Sequence, residues 1–577
     1  MDFRTHLQAD EQQIFECQMQ SQASYDLTQH ERRSANYKPN IWKHGFLESL
    51  DSKYHGDDYK KQSEKLIEDV KNMMFVETED SIAQLELVDI ITKLSLTNHF
   101  EKEIKETLDT IASVENNNPC ISITDDLYTT ALYFKILRQQ GYKVSQDLFG
   151  GFMDEEGTLK KSHLSDVKGM LELLEASNLA LEGEDILDEI KASSMVALRD
   201  SSICNLDNNL AKHVVHALEL SSHRRVRWFN VKGHIDAYEK DNQVNTILIE
   251  LARLNFNMVQ AKLQKDLREA SKWWNNLGLT QHLNFARDRL VECFMCAVGL
   301  NFQPDYTSFR IWLTKVVNLV LIIDDVYDIY GSLEELKCFT TAVDRWDVGE
   351  TEGLPECMKI CFQVLYNTTC EIAHEIEEEN GWNQVLPRLR KVWADFCKAL
   401  LVEAEWYSRA YTPSLEEYLS IGCISSSVSV ILVHTFFSTT HHQGIQEIAD
   451  FLHKNEDLVY NLSLIVRLSN DLGTSAAEQE RGDAPSAILC YMREVNVCED
   501  IAKKNIKDMI ENAWKKINGK CLRTPQVPSL SPFINITTNI ARVAHSLYQQ
   551  DGDGFGDQEQ GTRILMIQSL LVQPLLL

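Results

Sequence analysis

Apolar residues along the chain recur at steps of three and four. Val244, Ile247, Leu248, Leu251, Leu254 and Met258 fall on one stripe of a helical wheel, as expected of a helix that turns one face to a core. No segment sustains the period of two that a half-buried strand requires. Only 11 prolines occur in 577 residues, and none stands between Pro119 and Pro304. An interior proline costs a helix about 3 kcal/mol, so a proline-free stretch of that length favours helix. The pattern predicts an all-α chain.

The pattern breaks at residues 221–227. A helical run ending in His216-Ala217-Leu218-Glu219-Leu220 meets the polar, basic stretch Ser221-Ser222-His223-Arg224-Arg225-Val226-Arg227. A boundary there separates residues 32–225 from residues 226–577. Loops are expected at 349–355, 412–414 and 524–532. Residues 2–31 contain six acids against one Arg, Arg4. That Gln-rich composition predicts a mobile segment over 1–31. It differs from a Ser- and Arg-rich transit peptide and from an apolar secretory signal, so a cytosolic protein is expected.

Charge and composition narrow the function. Fifty-seven Lys and Arg stand against 86 Asp and Glu, a net charge of −29. Phosphate backbones attract the opposite sign, so nucleic acid is excluded as a partner. A hydrophobic fraction of 44 % supports large cores. No run of about 18 uncharged apolar residues is present, so no membrane span is expected; the apolar tail 564–577 is interrupted by Gln568, Gln573 and Pro574. The 14 cysteines are scattered through apolar helical patterns and read as reduced, buried thiols. Cys293 and Cys296 have Cys-x-x-Cys spacing, but no second pair or nearby His completes a zinc site.

The candidate chemistry lies in the second half. Asp324-Asp325-Val326-Tyr327-Asp328 follows the apolar run Leu319-Val320-Leu321-Ile322-Ile323. Positions i and i+4 share a helical face, so Asp324 and Asp328 project together with Asp325 beside them. A hard divalent cation resolves their repulsion, and carboxylate oxygens suit Mg²⁺. Asn470, Thr474 and Glu478 repeat the four-residue step 146 residues later, with Arg467 one turn before them. Arg287-Asp288-Arg289 begins 37 residues before Asp324; guanidinium groups fork onto phosphate oxygens. Trp273, Trp274 and Phe294 could stabilise a cation, although core packing is the simpler role for them.

Together these motifs resemble class I terpene synthases of plants. Asp324–Asp328 and Asn470–Glu478 are similar to that family's paired metal motifs. Arg32-Arg33, then eight intervening residues and Trp42, resembles its tandem-arginine motif, and Arg287-x-Arg289 its arginine loop. The resemblance implies two helical domains, an N-terminal α-barrel and a C-terminal class I terpenoid synthase helical bundle that carries both metal motifs. It implies three Mg²⁺ or Mn²⁺ ions, with Asp324 and Asp328, flanked by Asp325, holding two, and Asn470, Thr474 and Glu478 the third. Arg287, Arg289 and Arg467 would serve catalysis by holding the diphosphate, and Asp324, Asp328 and Asn470 would also meet the substrate. Arg32, Arg33 and Trp42 would form a lid. Many relatives carry a Lys five residues after the position of Arg481; here Ser486 stands there, which fits a short reaction.

Within the family the resemblance points to sesquiterpene formation. A monomer is expected to ionise farnesyl diphosphate and deprotonate the cation to acyclic α-farnesene. The alternative is a monoterpene or hemiterpene synthase (linalool, ocimene or isoprene) acting on a shorter prenyl diphosphate. Chain-elongating prenyltransferases usually carry two Asp-Asp-x-x-Asp motifs, and only one is present. Protonation-initiated cyclases need Asp-x-Asp-Asp, and Ile123-Thr124-Asp125-Asp126 lacks the leading Asp. A helical scaffold with a decayed site conflicts with the intact ligands in both motifs.

Overall fold

A computed structural model describes residues 37–72, 80–117, 126–200, 208–241, 244–439, 454–481, 485–523, 531–548 and 561–577. Among these the architecture is helical, and the sole extended pairing is an isolated bridge between Met153 and Leu159. The expected stripe lies on a 32-residue helix, Thr246–Leu277. Asn245 starts it by accepting from the N–H groups of Ile247 and Leu248, both at 3.0 Å, and Gly278 ends it in the left-handed region at φ 60°. Leu248, Leu251 and Leu254 are fully buried. Phe256, Leu263 and Leu267 extend the burial along the helix, so it is a central strut rather than a surface helix.

Helices wrap this strut from both ends of the chain. Trp228, on the helix Arg227–Glu239, stacks between Phe256 and Phe302, with centroids 5.3 and 4.7 Å away. Arg310 and Asp266, both fully buried, form an ion pair at 2.6 Å that fixes the helix Thr307–Asp325 to the strut. At the expected boundary a short 3₁₀ turn, Ser222–Arg224, precedes the Arg227 helix. The apolar core does not stop there: one cluster runs continuously from Trp42 to Leu571. A second, smaller core, with Phe134, Phe149, Phe152 and Leu173 inside, belongs to the N-terminal half. Arg224 reaches across the boundary to Glu511 at 2.6 Å.

The loops follow the expectation at 349–355, where a 3₁₀ turn covers Val348–Thr351, and at 412–414, which is irregular. Of 524–532, residues 524–530 lie outside the described residues, and the next helix already begins at Ser531. Proline at the start of a helix is no obstacle, because its missing N–H is not needed there. The stretch Leu415–Thr439 is apolar and long enough to cross a membrane. It is two helices, Leu415–Ser425 and Val428–Thr439, broken at Ser427 with φ 63°. The second packs inside the bundle, with Phe436 5.0 Å from Phe533 and Phe437 5.5 Å from Trp382.

Three buried amides on the strut hold the last turn and the tail. Gln260 donates to the carbonyl of Leu570 at 2.9 Å and Gln264 to that of Leu571 at 2.7 Å. Asn257 both donates to the carbonyl of Leu575 and accepts from its N–H, at 2.8 and 2.7 Å.

Candidate active site

A cavity of about 190 Å³ opens at one end of the bundle. Its depth is aliphatic: Leu300, Leu313, Val317, Leu400, Ile431 and Val543 face it from five helices. Its mouth is polar, with Arg287, Asp324 and Asp328 on one side and Arg467, Asn470 and Thr474 on the other. Residues separated by well over a hundred positions in sequence thus converge on one opening.

The first acidic motif sits where the Thr307 helix changes form. Regular α-helix ends at Asp325, and Val326–Tyr330 continue as a π-turn closed by Gly331 N–H on the carbonyl of Val326 at 2.8 Å. Such turns recur at functional sites because they re-aim neighbouring side chains. Tyr327 points into the core, its hydroxyl 2.6 Å from that of Thr340. Asp324 and Asp328 face the cavity. Asp325 does not: it is fully buried and absent from the lining. Its Oδ2 accepts from the backbone N–H of Arg287 at 2.7 Å, and its Oδ1 lies 3.0 Å from Arg287 Nε. The geometry therefore gives Asp325 to the arginine instead of to a metal. Burial pushes its carboxyl up to about 6, against the pull of the Arg287 charge.

Arg287 bridges the motif. It donates from Nη2 to Asp324 Oδ2 at 2.6 Å, and its guanidinium lies 5.2 Å from the Tyr37 ring. Arg289, expected beside it, is fully buried and absent from the cavity lining. It donates to the carbonyls of Asp288 and Lys38 at 2.8 and 3.1 Å, tying the arginine loop to the irregular segment before the first helix. Burial lowers its pKa. Trp42, expected in a lid, is likewise an anchor: it is 7 % exposed and its Nε1 donates to Glu292 at 3.3 Å. A large indole with one satisfied N–H gains more from this core than from a mobile position. Arg32 and Arg33 lie outside the described residues.

The second motif occupies the helix Glu456–Arg481. Arg467 donates to Asn470 Oδ1 and lies 3.6 Å from Glu403 and 3.4 Å from Asp471. Thr474 Oγ1 donates to the carbonyl of Asn470 at 2.8 Å. Asp471 is buried, accepting from Tyr418 at 2.9 Å and from Ala487 N–H at 2.7 Å. Glu478 belongs to the same helix, but its side chain lies outside the described residues. Ser486 caps the helix Ala487–Val495 and does not line the cavity, whereas Pro485 does.

The donor set fits a hard divalent cation. Asp324 and Asp328 offer carboxylate oxygens, Asn470 and Thr474 an amide and a hydroxyl oxygen, and soft thiolates are absent from this rim. Among the described residues, which leave out the Glu478 side chain, no three acidic, His or Cys side chains group to hold a metal ion.

Several lining residues carry no motif that would reveal them. Tyr37 and Tyr548 come from opposite ends of the chain, and Glu403 stands in an ordinary helical pattern. Glu403 is raised by burial, partly offset by Arg467 and by the hydroxyl of Ser425 at 2.7 Å. Burial also raises Tyr548, whose neighbours include Arg467, Arg287 and Asp324. Cys296 lines the cavity, its thiol pushed up to about 12 by burial, with the same cause acting on Cys293. Trp273, Trp274 and Phe294 do not line it: Trp274 donates to Asp288 at 3.0 Å, Trp273 sits under Lys315 and Phe294 is in the core.

Two family models match the chain: the "Terpene synthase, N-terminal domain" over residues 41–218 and the "Terpene synthase family, metal binding domain" over residues 275–516. An (E,E)-alpha-farnesene synthase of Malus domestica is 70 % identical, with 100 % of each chain covered. An alpha-farnesene synthase of Ricinus communis is 55 % identical over 98 % of this chain and 99 % of the relative. Among solved structures, isoprene synthase from grey poplar (Populus x canescens), in complex with three Mg²⁺ ions and dimethylallyl-S-thiolodiphosphate, superposes with a TM-score of 0.84. It is 38 % identical, with 93 % of this chain and 99 % of that one covered.

Proposed function

This chain belongs to the terpene synthase family, and from that membership we propose that it converts farnesyl diphosphate to acyclic α-farnesene and diphosphate. The observation that carries the reading is the cavity itself, which joins aliphatic side chains from five helices to a group of oxygen donors and the guanidinium groups of Arg287 and Arg467. Its substrate must be an apolar chain with a polyanionic head. The product follows the relatives: identity is 70 % and 55 % to the farnesene synthases against 38 % to isoprene synthase.

We assign Asp324, Asp328, Asn470, Thr474 and Glu478 to the metal ions, and Arg287 and Arg467 to the diphosphate. Mg²⁺ bound there, or Mn²⁺ in its place, would neutralise charge on the leaving oxygens. Arg287 and Arg467 add preorganised positive charge on either side of the mouth, where the C–O bond breaks and its electron pair stays with diphosphate. Tyr37 covers Arg287 from the N-terminal side. The allylic cation is left among Leu, Val and Ile side chains that exclude water. Beyond Tyr37 the only rings lining the cavity among the described residues are Tyr418 and Tyr548. Few aromatic faces means little stabilisation for a long-lived cation, which suits early proton loss. Diphosphate, still held at the mouth, accepts that proton as the new double bond forms.

A catalytic domain over 226–577 and an N-terminal helical domain over 32–225 form part of the same proposal, as does a monomer in the cytosol. The test offers farnesyl and geranyl diphosphate separately and identifies products by gas chromatography. α-Farnesene with higher kcat/KM on farnesyl diphosphate supports the proposal; higher kcat/KM on geranyl diphosphate, with a fluorescent fusion imported into plastids, replaces it with the monoterpene reading.

A further inference from the structure

The basic stretch at residues 221–227 lines a second cavity, of about 70 Å³, remote from the catalytic mouth in lining and in chemistry. Helices of both halves of the chain contribute: Ser81–Lys93, Leu127–Gln139, Asn208–Glu219, Arg227–Glu239 and Ser531–Tyr548. Five cations line it, Lys93, Lys135, Arg225, Arg227 and Arg542, against one carboxylate, Asp89. In a chain of net charge −29 that imbalance is opposite to the composition.

The lysines are matched. Asp89 lies 2.5 Å from Lys93 and 2.9 Å from Lys135, and Glu172 lies 2.5 Å from Lys135. Arg225 has Glu219 at 3.6 Å and two backbone carbonyls. The other two guanidiniums are not matched. Arg542 donates to the carbonyl of His223 at 2.8 Å and to Asn539 at 2.7 Å, both neutral. Arg227 has no hydrogen-bond or ion-pair partner among the described residues. Burial, and after it the charge of Arg227, lowers Arg542 to about 9. Burial and Arg542 bring His223 down to about 3. Arg227 keeps contact with solvent and Arg542 is half-buried, and a guanidinium fork that faces no carboxylate suits a tetrahedral oxyanion. The space holds several waters or one such anion.

We propose that this cavity is a binding site for a phosphate-class oxyanion, held between Arg227 and Arg542, that clamps the helix Arg227–Glu239 to the helix Ser531–Tyr548. The anion could be free inorganic phosphate or the diphosphate that the reaction releases. The full-length protein, in metal-free buffer at constant ionic strength, is titrated with each by calorimetry and thermal unfolding. Wild type is compared with Arg227→Glu, with the milder Arg227→Gln, and with Arg467→Met in the catalytic mouth. Binding that persists in Arg467→Met, weakens about tenfold or more in Arg227→Glu and raises Tm only where it persists supports the site. The tighter of the two anions is then its ligand. Equal binding by wild type and both Arg227 variants, or binding lost only in Arg467→Met, overturns it.

Discussion

Asp325 and Arg287 are locked together, the carboxylate accepting from the arginine's backbone N–H at 2.7 Å while lying 3.0 Å from its Nε. One buried acid thus sets both the loop and the side chain that reaches Asp324. Asp325→Ala is expected to lower kcat about 10–100-fold, the usual cost of losing a residue that orients a ligand. The Mg²⁺ concentration for half-maximal rate should not move. Asp324→Ala and Asp328→Ala should raise that concentration and cost more than about 100-fold. Mg²⁺ titrations at saturating substrate decide it, and an equal shift for all three variants would return Asp325 to the metal.

The divalent metal should be indispensable. Excess chelator is expected to abolish turnover, Mn²⁺ to restore part of it, and Glu478→Ala to mimic much of the loss with little change in helical circular dichroism. Full activity in chelator would sink the assignment.

The N-terminal segment should divide at residue 36. Deleting 1–36 spares Tyr37, the Lys38 carbonyl and Trp42, so the fold should persist, at a lower rate and with mainly the same hydrocarbon. Deleting 1–42 removes the indole packed on the core, which costs about 3–5 kcal/mol, together with the acceptor of Arg289. Urea midpoints of the two truncations should differ accordingly; equal midpoints would show that Trp42 is no anchor.

Gly473 abuts Tyr548: a Cβ there would lie 3.0 Å from both the Cβ and the backbone oxygen of Tyr548. Gly473→Ala should therefore displace one of the cavity's few rings. Turnover should fall several-fold and the share of alcohol products rise as water enters. Unchanged rate and product ratio would mean that the neighbouring helix yields without consequence.

Asp266→Ala should cost about 3–5 kcal/mol, because it leaves the Arg310 guanidinium buried and unpaired. Denaturant unfolding measures this directly. Replacing both residues by apolar ones of similar volume should recover much of the loss, and a double variant as unstable as the single would argue against charge burial as the cause.

Helices were legible in the sequence because their apolar spacing is local. Leu248, Leu251 and Leu254 are buried as their stripe requires, and Asn245 and Gly278 bound the helix by their own chemistry. Asp324 with Asp328 and Asn470 with Thr474 were legible as same-face pairs for the same reason, and all four line one cavity. Asp325 follows Asp324 by one residue, about 100° further round the helix, and its partner Arg287 lies 38 residues away, which no local spacing encodes. Arg289 and Trp42 have the residue types of a binding site, yet their partners, Lys38 and Glu292, are distant in sequence. Tyr37, Glu403 and Tyr548 join the site only through tertiary packing, which no spacing encodes. The turn at Ser222–Arg224 was visible as a change in composition, while the core that continues past it was not.

The amides of Asn257, Gln260 and Gln264 grip carbonyls and an N–H of the tail, never its side chains. Their contacts are blind to which amino acids occupy 570–575 and sensitive only to register. Leu570 and Leu571 are buried in the core and must stay apolar, but at the exposed Gln573 and Pro574 a substitution should be tolerated where a single inserted or deleted residue is not, so that there length is the constrained variable and identity the free one.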